Sequence, residues 1–166
     1  VTNALEIAAA CERVVAVTIG LEDYTADLGV PRTDEGRESL WARSMIVNAA
    51  RAAGVQAIDS VFSDVEDGQG LRRSVLAAKG LGFEGTGCIH PRQIRIGHGA
   101  FAPTPDEIAR AGRIVVAFRE ARERGLGVVS LGSKMIDPPV VERALQTVAQ
   151  AVESGLLAAD WEESEV

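Results

Sequence analysis

The chain has few cysteines, no long apolar run and no excess of basic residues, and each shortage excludes a class of protein. Its two cysteines, Cys11 and Cys88, are too few for a disulfide-built fold and predict a reducing compartment, the cytoplasm. No window of about 18 residues is both apolar and uncharged, which excludes a membrane-spanning helix. The net charge of −7 argues against a nucleic-acid surface, because phosphate binding needs a basic face.

What is present is the composition of a globular protein. With 46% hydrophobic and 25% charged residues, the chain is too apolar to be disordered. A length of 166 residues is enough for one domain of ordinary size. The first residue is Val1, however, and it opens directly into an alanine-rich helical segment. We therefore expect the chain to be part of a longer protein.

Short apolar runs alternate with helical segments along the chain. The β-branched run 13–19, the run 55–59 and the glycine-containing run 84–89 predict three buried strands, and 127–131 predicts a short extended piece. The predicted helices cover residues 2–12, 34–53, 69–80, 91–96, 105–125 and 138–158. This alternation is typical of parallel βα units and predicts an α/β fold class. Three strands cannot close a barrel, so the pattern fits a small three-layer domain or part of a barrel.

Polar residues that follow the predicted strands are the candidates for a site, because parallel α/β proteins bind ligands at the carboxyl ends of their strands. Glu22 and Asp23 follow the first strand, where adjacent acids either hold a cation such as Mg²⁺ or favour the start of a helix. Asp59 stands at the tip of the second strand. His90 and Arg92 follow the third, where they suit a base and a phosphate ligand or a purely structural role.

Asp137 directly precedes Pro138, at the start of the last predicted helix. An aspartate before a proline is a good helix N-cap, since proline suits the first helical turn. That role alone would explain the pair. The patterns described so far do not identify a reaction.

Four segments occur in one order and spacing that resembles a known family. They are GLEDYTADLG at 20–29, AARAAGVQAIDSVFSDVEDGQGL at 49–71, GCIHPRQI at 87–94 and GSKMIDPPVVERA at 132–144. The chain resembles the citrate lyase beta-subunit-like proteins of the HpcH/HpaI aldolase superfamily, which include citramalyl-CoA and malyl-CoA lyases. The resemblance runs from about residue 1 to residue 155.

The resemblance implies a fold, a reaction and a set of site residues. Such proteins are TIM barrels, commonly homotrimers, that bind Mg²⁺ and cleave a 3-hydroxy-acyl thioester into a 2-keto acid and an acyl thioester. The family's metal aspartate corresponds to Asp23, and the backbone amides of Leu21, Glu22 and Asp23 would hold the keto-acid carboxylate. The lid aspartate corresponds to Asp137, which would act as an acid or base in a neighbouring subunit's site.

The resemblance also implies how the chain is divided. Residues 1–126 would form the C-terminal half of the barrel, 127–159 a lid segment with its helix, and 160–166 an acidic tail. The family's metal glutamate and a substrate-binding arginine would precede Val1. We therefore expect the chain to carry half of an active site and to be inactive by itself.

Two further interpretations remain open at this point. One is a non-catalytic half barrel that serves as a binding or oligomerisation module. The other is a small, self-contained α/β domain that binds a phosphorylated ligand through basic pairs, either Arg72 with Arg73 or Arg92 with Arg95. The sequence does not tell whether a thioester substrate is carried on CoA or on an acyl carrier protein.

Overall fold

The computed structural model describes residues 1–125, 129–131 and 134–161. The chain forms two compact units, Val1–Phe101 and Ala102–Val166.

The first unit is built on a parallel sheet with the strand order β1-β2-β3. The strands are β1 Ala16–Thr18, β2 Gln56–Asp59 and β3 Gly85–Thr86. Val17 lies opposite Ala57 and Asp59 opposite Thr86, and both pairings are parallel. The predicted α/β class with a parallel sheet is thereby confirmed. Within the described residues β1 and β3 have no further strand partner, and Val15 beside β1 is 72% exposed.

Five helices belong to the first unit. They are α1 Ala4–Ala8, α2 Leu21–Leu28, α3 Leu40–Ala53, α4 Gly68–Leu81 and α5 Arg92–Phe101. The sequence pattern gave α2 no bounds, although the start of a helix was one of the two alternatives at Glu22 and Asp23. It forms because Leu21 and Thr25, one turn apart, both become buried, and Gly29 ends the helix in the left-handed conformation at φ 71°. The segment 34–39, predicted as helical, instead precedes α3.

The core of the first unit lies where α3 packs on the sheet and α1 packs on α3. Ala42, Ala50 and Ala57 are completely buried, and these small side chains let α3 approach β2 closely. Ile46 and Val47 add larger apolar groups on the same face of α3. This packing supports β2 and therefore its carboxyl end, where Asp59 lies.

The second unit is a helix pair with a β-hairpin between the helices. Its elements are α6 Pro105–Glu123, β4 Val129–Leu131, β5 Lys134–Ile136 and α7 Pro138–Glu153. The hairpin is antiparallel, with Val129 opposite Ile136. Only β4 coincides with the predicted extended piece, whose residues 127–128 lie outside the described part. The second strand was not predicted, because three residues are too short for a period-2 pattern to be recognised.

The side chains of α6 and α7 form the core of the second unit. Ile114 and Val115 of α6 pack with Val141 and Val148 of α7, and Trp161 joins the same cluster. The helix α6, which the family resemblance placed with the barrel residues 1–126, lies in the same compact unit as α7. None of the described helices is both long and apolar enough to cross a membrane.

Gly70 in the first turn of α4 provides a test of local packing. A Cβ there would lie 2.1 Å from Asp67 Oδ2 and 2.8 Å from Phe62 Cζ. Because Asp67 Oδ1 caps α4 by accepting the Gly70 N–H at 2.7 Å, Gly70→Ala should disrupt the cap and lower the free energy of unfolding by about 1–3 kcal/mol. Urea denaturation would measure this change.

Gly80 in the same helix is the matched control. A Cβ there would meet no atom within 4 Å, so Gly80→Ala should leave stability unchanged or raise it by up to about 1 kcal/mol. Equal destabilisation by both substitutions would contradict this account of Gly70.

Candidate functional site

The segments that follow the three strands of the sheet are hydrogen-bonded to one another. The Leu21 N–H donates to Ser60 Oγ at 3.1 Å in a buried contact. The Thr86 hydroxyl donates to the Ser60 carbonyl oxygen at 2.8 Å, and the Gly87 N–H donates to the Asp59 carbonyl oxygen at 3.0 Å. Ser60 therefore connects the carboxyl ends of all three strands, where the sequence predicted a site.

Asp23 is the acidic residue at the carboxyl ends of the strands whose side chain is available for a ligand. It lies exposed in the first turn of α2, and its carboxylate turns back over Gly20, where an added Cβ would lie 2.9 Å from Oδ2. Within the described residues, this carboxylate has no hydrogen-bond or ion-pair partner. The neighbouring Glu22 is engaged, because its Oε1 accepts a bond from Arg32 at 2.9 Å. Of the two adjacent acids, the structure leaves Asp23 available.

The amino end of α2 presents backbone donors beside Asp23. The Leu21 N–H, one of three amides predicted to hold a carboxylate, is already bonded to Ser60 Oγ. The amides of Glu22 and Asp23 have no acceptor within the described part of the chain. Free amides at the start of a helix attract anions, because their dipoles point the same way. An incoming carboxylate can therefore bind these two amides without displacing Ser60.

Arg32 ties the segments after β1 and β2 together. Its Nη1 donates to Glu22 and its Nη2 donates to the Val61 carbonyl oxygen at 3.0 Å. Beyond it, the Thr33 hydroxyl donates to Glu38 at 2.8 Å. Burial acts to raise the pKa of Glu38, but hydrogen bonds from the Thr33 hydroxyl and from backbone amides, with Arg32 nearby, hold that pKa below its usual value. Glu38 thus stays ionised and orders this segment.

Asp59 lies at the tip of β2, as predicted, but its carboxylate is not free. It is 3% exposed and accepts two hydrogen bonds from Arg43, from Nε at 3.2 Å and from Nη2. The Arg43 guanidinium lies 5.7 Å from the centre of the Phe83 ring. Sequence reasoning missed Arg43, although its place in the buried face of α3, between Ala42 and Ile46, was a signal for a buried charge.

His90 and Arg92 make local contacts on the surface. His90 is exposed, and its Nδ1 accepts the Arg92 N–H at 3.2 Å at the start of α5. The Arg92 side chain pairs with Glu66 at 2.5 Å, and both side chains are more than half exposed. The proposed basic pair is therefore partly neutralised. In this arrangement His90 caps a helix, and Arg92 connects α5 to the segment after β2.

Gln93 is the polar residue of this region that sequence reasoning did not single out. It is 1% exposed, accepts the Ile89 N–H at 2.9 Å and donates to the Phe62 carbonyl oxygen at 2.9 Å. One buried amide thus holds together the segments that follow β2 and β3. The signal was weak, because a single glutamine in a short helix does not reveal distant partners.

Asp137 is the N-cap of α7 in the second unit. Its Oδ1 accepts the Val140 N–H at 3.2 Å, and Pro138 occupies the first turn, as the sequence predicted. The side chain is half-buried. One carboxylate oxygen therefore serves the helix, while Oδ2 has no hydrogen-bond partner within the described residues.

The Asp23 carboxylate at the carboxyl ends of the strands fits part of a Mg²⁺ site. Mg²⁺ is commonly held by one or two carboxylates together with waters and substrate oxygens. Asp23 supplies one unpaired carboxylate, and the described part of the chain contains no group of three or more His, Cys, Asp or Glu side chains placed so that they could hold a metal ion together. The described part of the chain therefore offers the Asp23 carboxylate as a candidate ligand for such a cation.

Comparison with known proteins identifies the family. The model of the HpcH/HpaI aldolase/citrate lyase family matches residues 1–91, and the chain belongs to this family. Citrate lyase subunit beta of Escherichia coli (strain K12) is 45% identical over 156 residues, which cover 94% of this chain and 52% of that protein. The mitochondrial citramalyl-CoA lyase of Homo sapiens is 39% identical over 136 residues, which cover 82% of this chain and 40% of that protein. The chain thus spans about half the length of these curated relatives.

Solved structures agree with this assignment. The protein CitE from Mycobacterium tuberculosis, in complex with magnesium, acetoacetate and coenzyme A, matches with a TM-score of 0.78 and 35% identity. The match covers 89% of this chain and 55% of CitE. A citrate lyase from Burkholderia xenovorans LB400 has a TM-score of 0.79 at 24% identity, covering 93% of this chain and 50% of that one, and it supports the fold alone.

Replacing Gln93 tests its role as the link between the two segments. Gln93→Leu leaves the Ile89 amide and the Phe62 carbonyl group without their partner. We expect the free energy of unfolding to fall by about 1–3 kcal/mol, measured by urea denaturation. Gln69→Leu is the control, because Gln69 is exposed, and a change within about 0.5 kcal/mol is expected there. A similar loss in both variants would refute the link.

Proposed function

We propose that this chain contributes to a Mg²⁺-dependent carbon–carbon lyase. Its substrate would be a 3-hydroxy-acyl thioester such as citramalyl-CoA, malyl-CoA or a citryl thioester. The observation that carries the proposal is the free carboxylate of Asp23 beside the two open amides of α2. The names of the relatives, citrate lyase subunit beta and citramalyl-CoA lyase, support the same class of reaction.

Each group at the edge of the sheet has a task in this proposal. Asp23 supplies one metal ligand, while the amides of Glu22 and Asp23 bind the carboxylate that becomes part of the 2-keto acid. A bound Mg²⁺ supplies positive charge that polarises the substrate oxygens. The substrate hydroxyl group gives up its proton to solvent, and the carbon–carbon bond breaks to leave the 2-keto acid and a thioester enolate. Asp137, from a neighbouring subunit, then donates a proton to the enolate carbon.

The rest of the site comes from outside these residues in our proposal. The three-stranded sheet represents the last strands of a TIM barrel, and the remaining strands add to the free edges of β1 and β3. The exposed Val15 next to β1 supports this arrangement. The second metal ligand belongs to the added strands, and the assembled protein is a cytoplasmic homotrimer. The chain alone then binds Mg²⁺ weakly, and turnover by it at the rate of a full-length relative would contradict the proposal.

Asp23→Asn tests the metal ligand directly. Mn²⁺ can replace Mg²⁺ as a paramagnetic probe, and we expect it to broaden the amide NMR signals of residues 20–24 in the unmodified chain. Loss of the carboxylate should weaken Mn²⁺ binding by at least about 10–100-fold, since removing even a residue that only orients a metal ligand has an effect of that size. Asp27→Asn, one turn further along α2 and also exposed, should leave the broadening unchanged. Equal broadening in all three proteins would count against Asp23.

Asp137→Asn separates acid catalysis from helix capping. Asparagine caps helices about as well as aspartate, so the free energy of unfolding should change by less than about 0.5 kcal/mol. Turnover by the assembled lyase should fall by about 100-fold or more, because asparagine cannot donate a proton as an acid does. Asp67→Asn at the N-cap of α4 is the matched control and should preserve turnover. Full activity of Asp137→Asn would show that Asp137 serves as a helix cap and not as the acid.

A non-catalytic binding or oligomerisation module is the second candidate. The unpaired outer edges of strands β1 and β3 in the described sheet, with Val15 beside β1 72% exposed, favour it, because open strand edges can pair with another chain. The Mn²⁺ experiment distinguishes the two, because a module without catalysis has no reason to retain a cation site at Asp23. Broadening of amide signals all over the acidic surface, rather than at residues 20–24, would support the non-catalytic module.

A further inference from the structure

A buried ion pair lies one residue away from the serine that connects the three strand ends. Asp59 and Arg43 are 3% and 8% exposed, and two hydrogen bonds join them. Asp59 is the last residue of β2, and Ser60 follows it directly. The pair makes no contact with Asp23 among the contacts of the described residues, so its role in the site is indirect.

A contribution to the stability of the protein does not by itself explain a buried ion pair. Two charges lose their hydration on burial, and apolar side chains of similar volume often stabilise a protein equally well or better. What a bidentate pair provides in addition is geometry, because the planar guanidinium and the carboxylate fix each other's position and orientation. Arg43 is itself held over the Phe83 ring. The tip of β2 is thereby fixed to α3.

A continuous chain of contacts leads from this tip to the amino end of α2. The Asp59 carbonyl oxygen accepts the Gly87 N–H, and the Ser60 carbonyl oxygen accepts the Thr86 hydroxyl. The Ser60 hydroxyl in turn accepts the Leu21 N–H at 3.1 Å. A shift of the Asp59 backbone therefore moves the acceptor of Leu21. Asp23 lies two residues further along the same turn of helix.

We propose that Arg43 and Asp59 are positioning residues, which hold the tip of β2 so that Ser60 orients the first turn of α2. The pair acts through Ser60 and Leu21 and does not touch substrate. This inference rests on the proposed function for its purpose, since the first turn of α2 carries Asp23 and the two open amides. The mechanical coupling itself can be tested without any turnover.

The test compares stability with hydrogen exchange at one amide. Arg43→Met/Asp59→Leu removes both charges and keeps an apolar filling, and Ser60→Ala serves as the reference that removes the acceptor of Leu21. We expect both proteins to exchange the Leu21 amide about fivefold or more faster than the unmodified chain, while the double variant keeps a similar free energy of unfolding. Amide-resolved NMR measures the exchange, and urea denaturation measures the stability.

Arg51 and Glu84 provide the matched control, because they also connect α3 to the chain beside β3 but remain exposed at a distance of 3.3 Å. Arg51→Gln/Glu84→Gln should leave Leu21 exchange unchanged. If the double variant of the buried pair does not fold, Arg43→Lys takes its place. Lysine keeps the positive charge but lacks the planar guanidinium group, so this variant should also accelerate exchange of the Leu21 amide. If the variant that folds has a similar free energy of unfolding and exchanges its Leu21 amide at the same rate as the unmodified chain, the inference is wrong. Loss of lyase activity or of Mn²⁺ binding tests the proposed function separately.

Discussion

The hydrogen bond from the Leu21 amide to Ser60 Oγ is the contact on which the arrangement of the candidate site depends. It joins residues that are 39 positions apart in the sequence and is buried. A buried amide that loses its acceptor costs more free energy than an ordinary hydrogen bond contributes, so the contact strongly favours one placement of α2. Since the first turn of α2 carries Asp23 and two open amides, this bond fixes where that carboxylate and those amides lie relative to the sheet.

The acids that the sequence singled out differ in environment more than in chemical type. Asp59 is buried and bound to Arg43, while Glu22 is exposed and bound to Arg32. Asp23 is exposed and unpaired within the described residues, and Asp137 caps a helix in the second unit. A carboxylate that already neutralises an arginine is a poor ligand for another cation. The partners, rather than the residue type, therefore separate a candidate metal ligand from structural acids.

Several features could be predicted from local pattern. The α/β class, the place of Asp59 at a strand tip and the N-cap position of Asp137 were predicted, and the structure confirms them. The eight-residue helix α2 was foreseen only as a possible helix start at Glu22 and Asp23, because its two buried positions are too few to give a clear periodicity. The partners of Gln93 were missed, since they lie 4 and 31 residues away and no local signal marks them. Whether Asp23 and Asp137 serve one site stays a prediction.

By itself, the sequence determined the alternation of strands and helices, the acidic balance of −7 and the motifs that place the chain in its family. These properties depend on residues that are neighbours in the chain, or on their sum. Only the tertiary structure decided that Asp59 is neutralised, that the Leu21 amide is occupied and that Asp23 is open. The physical reason is that ion pairs and buried hydrogen bonds act over a few ångströms in space, between residues whose separation along the chain carries no pattern.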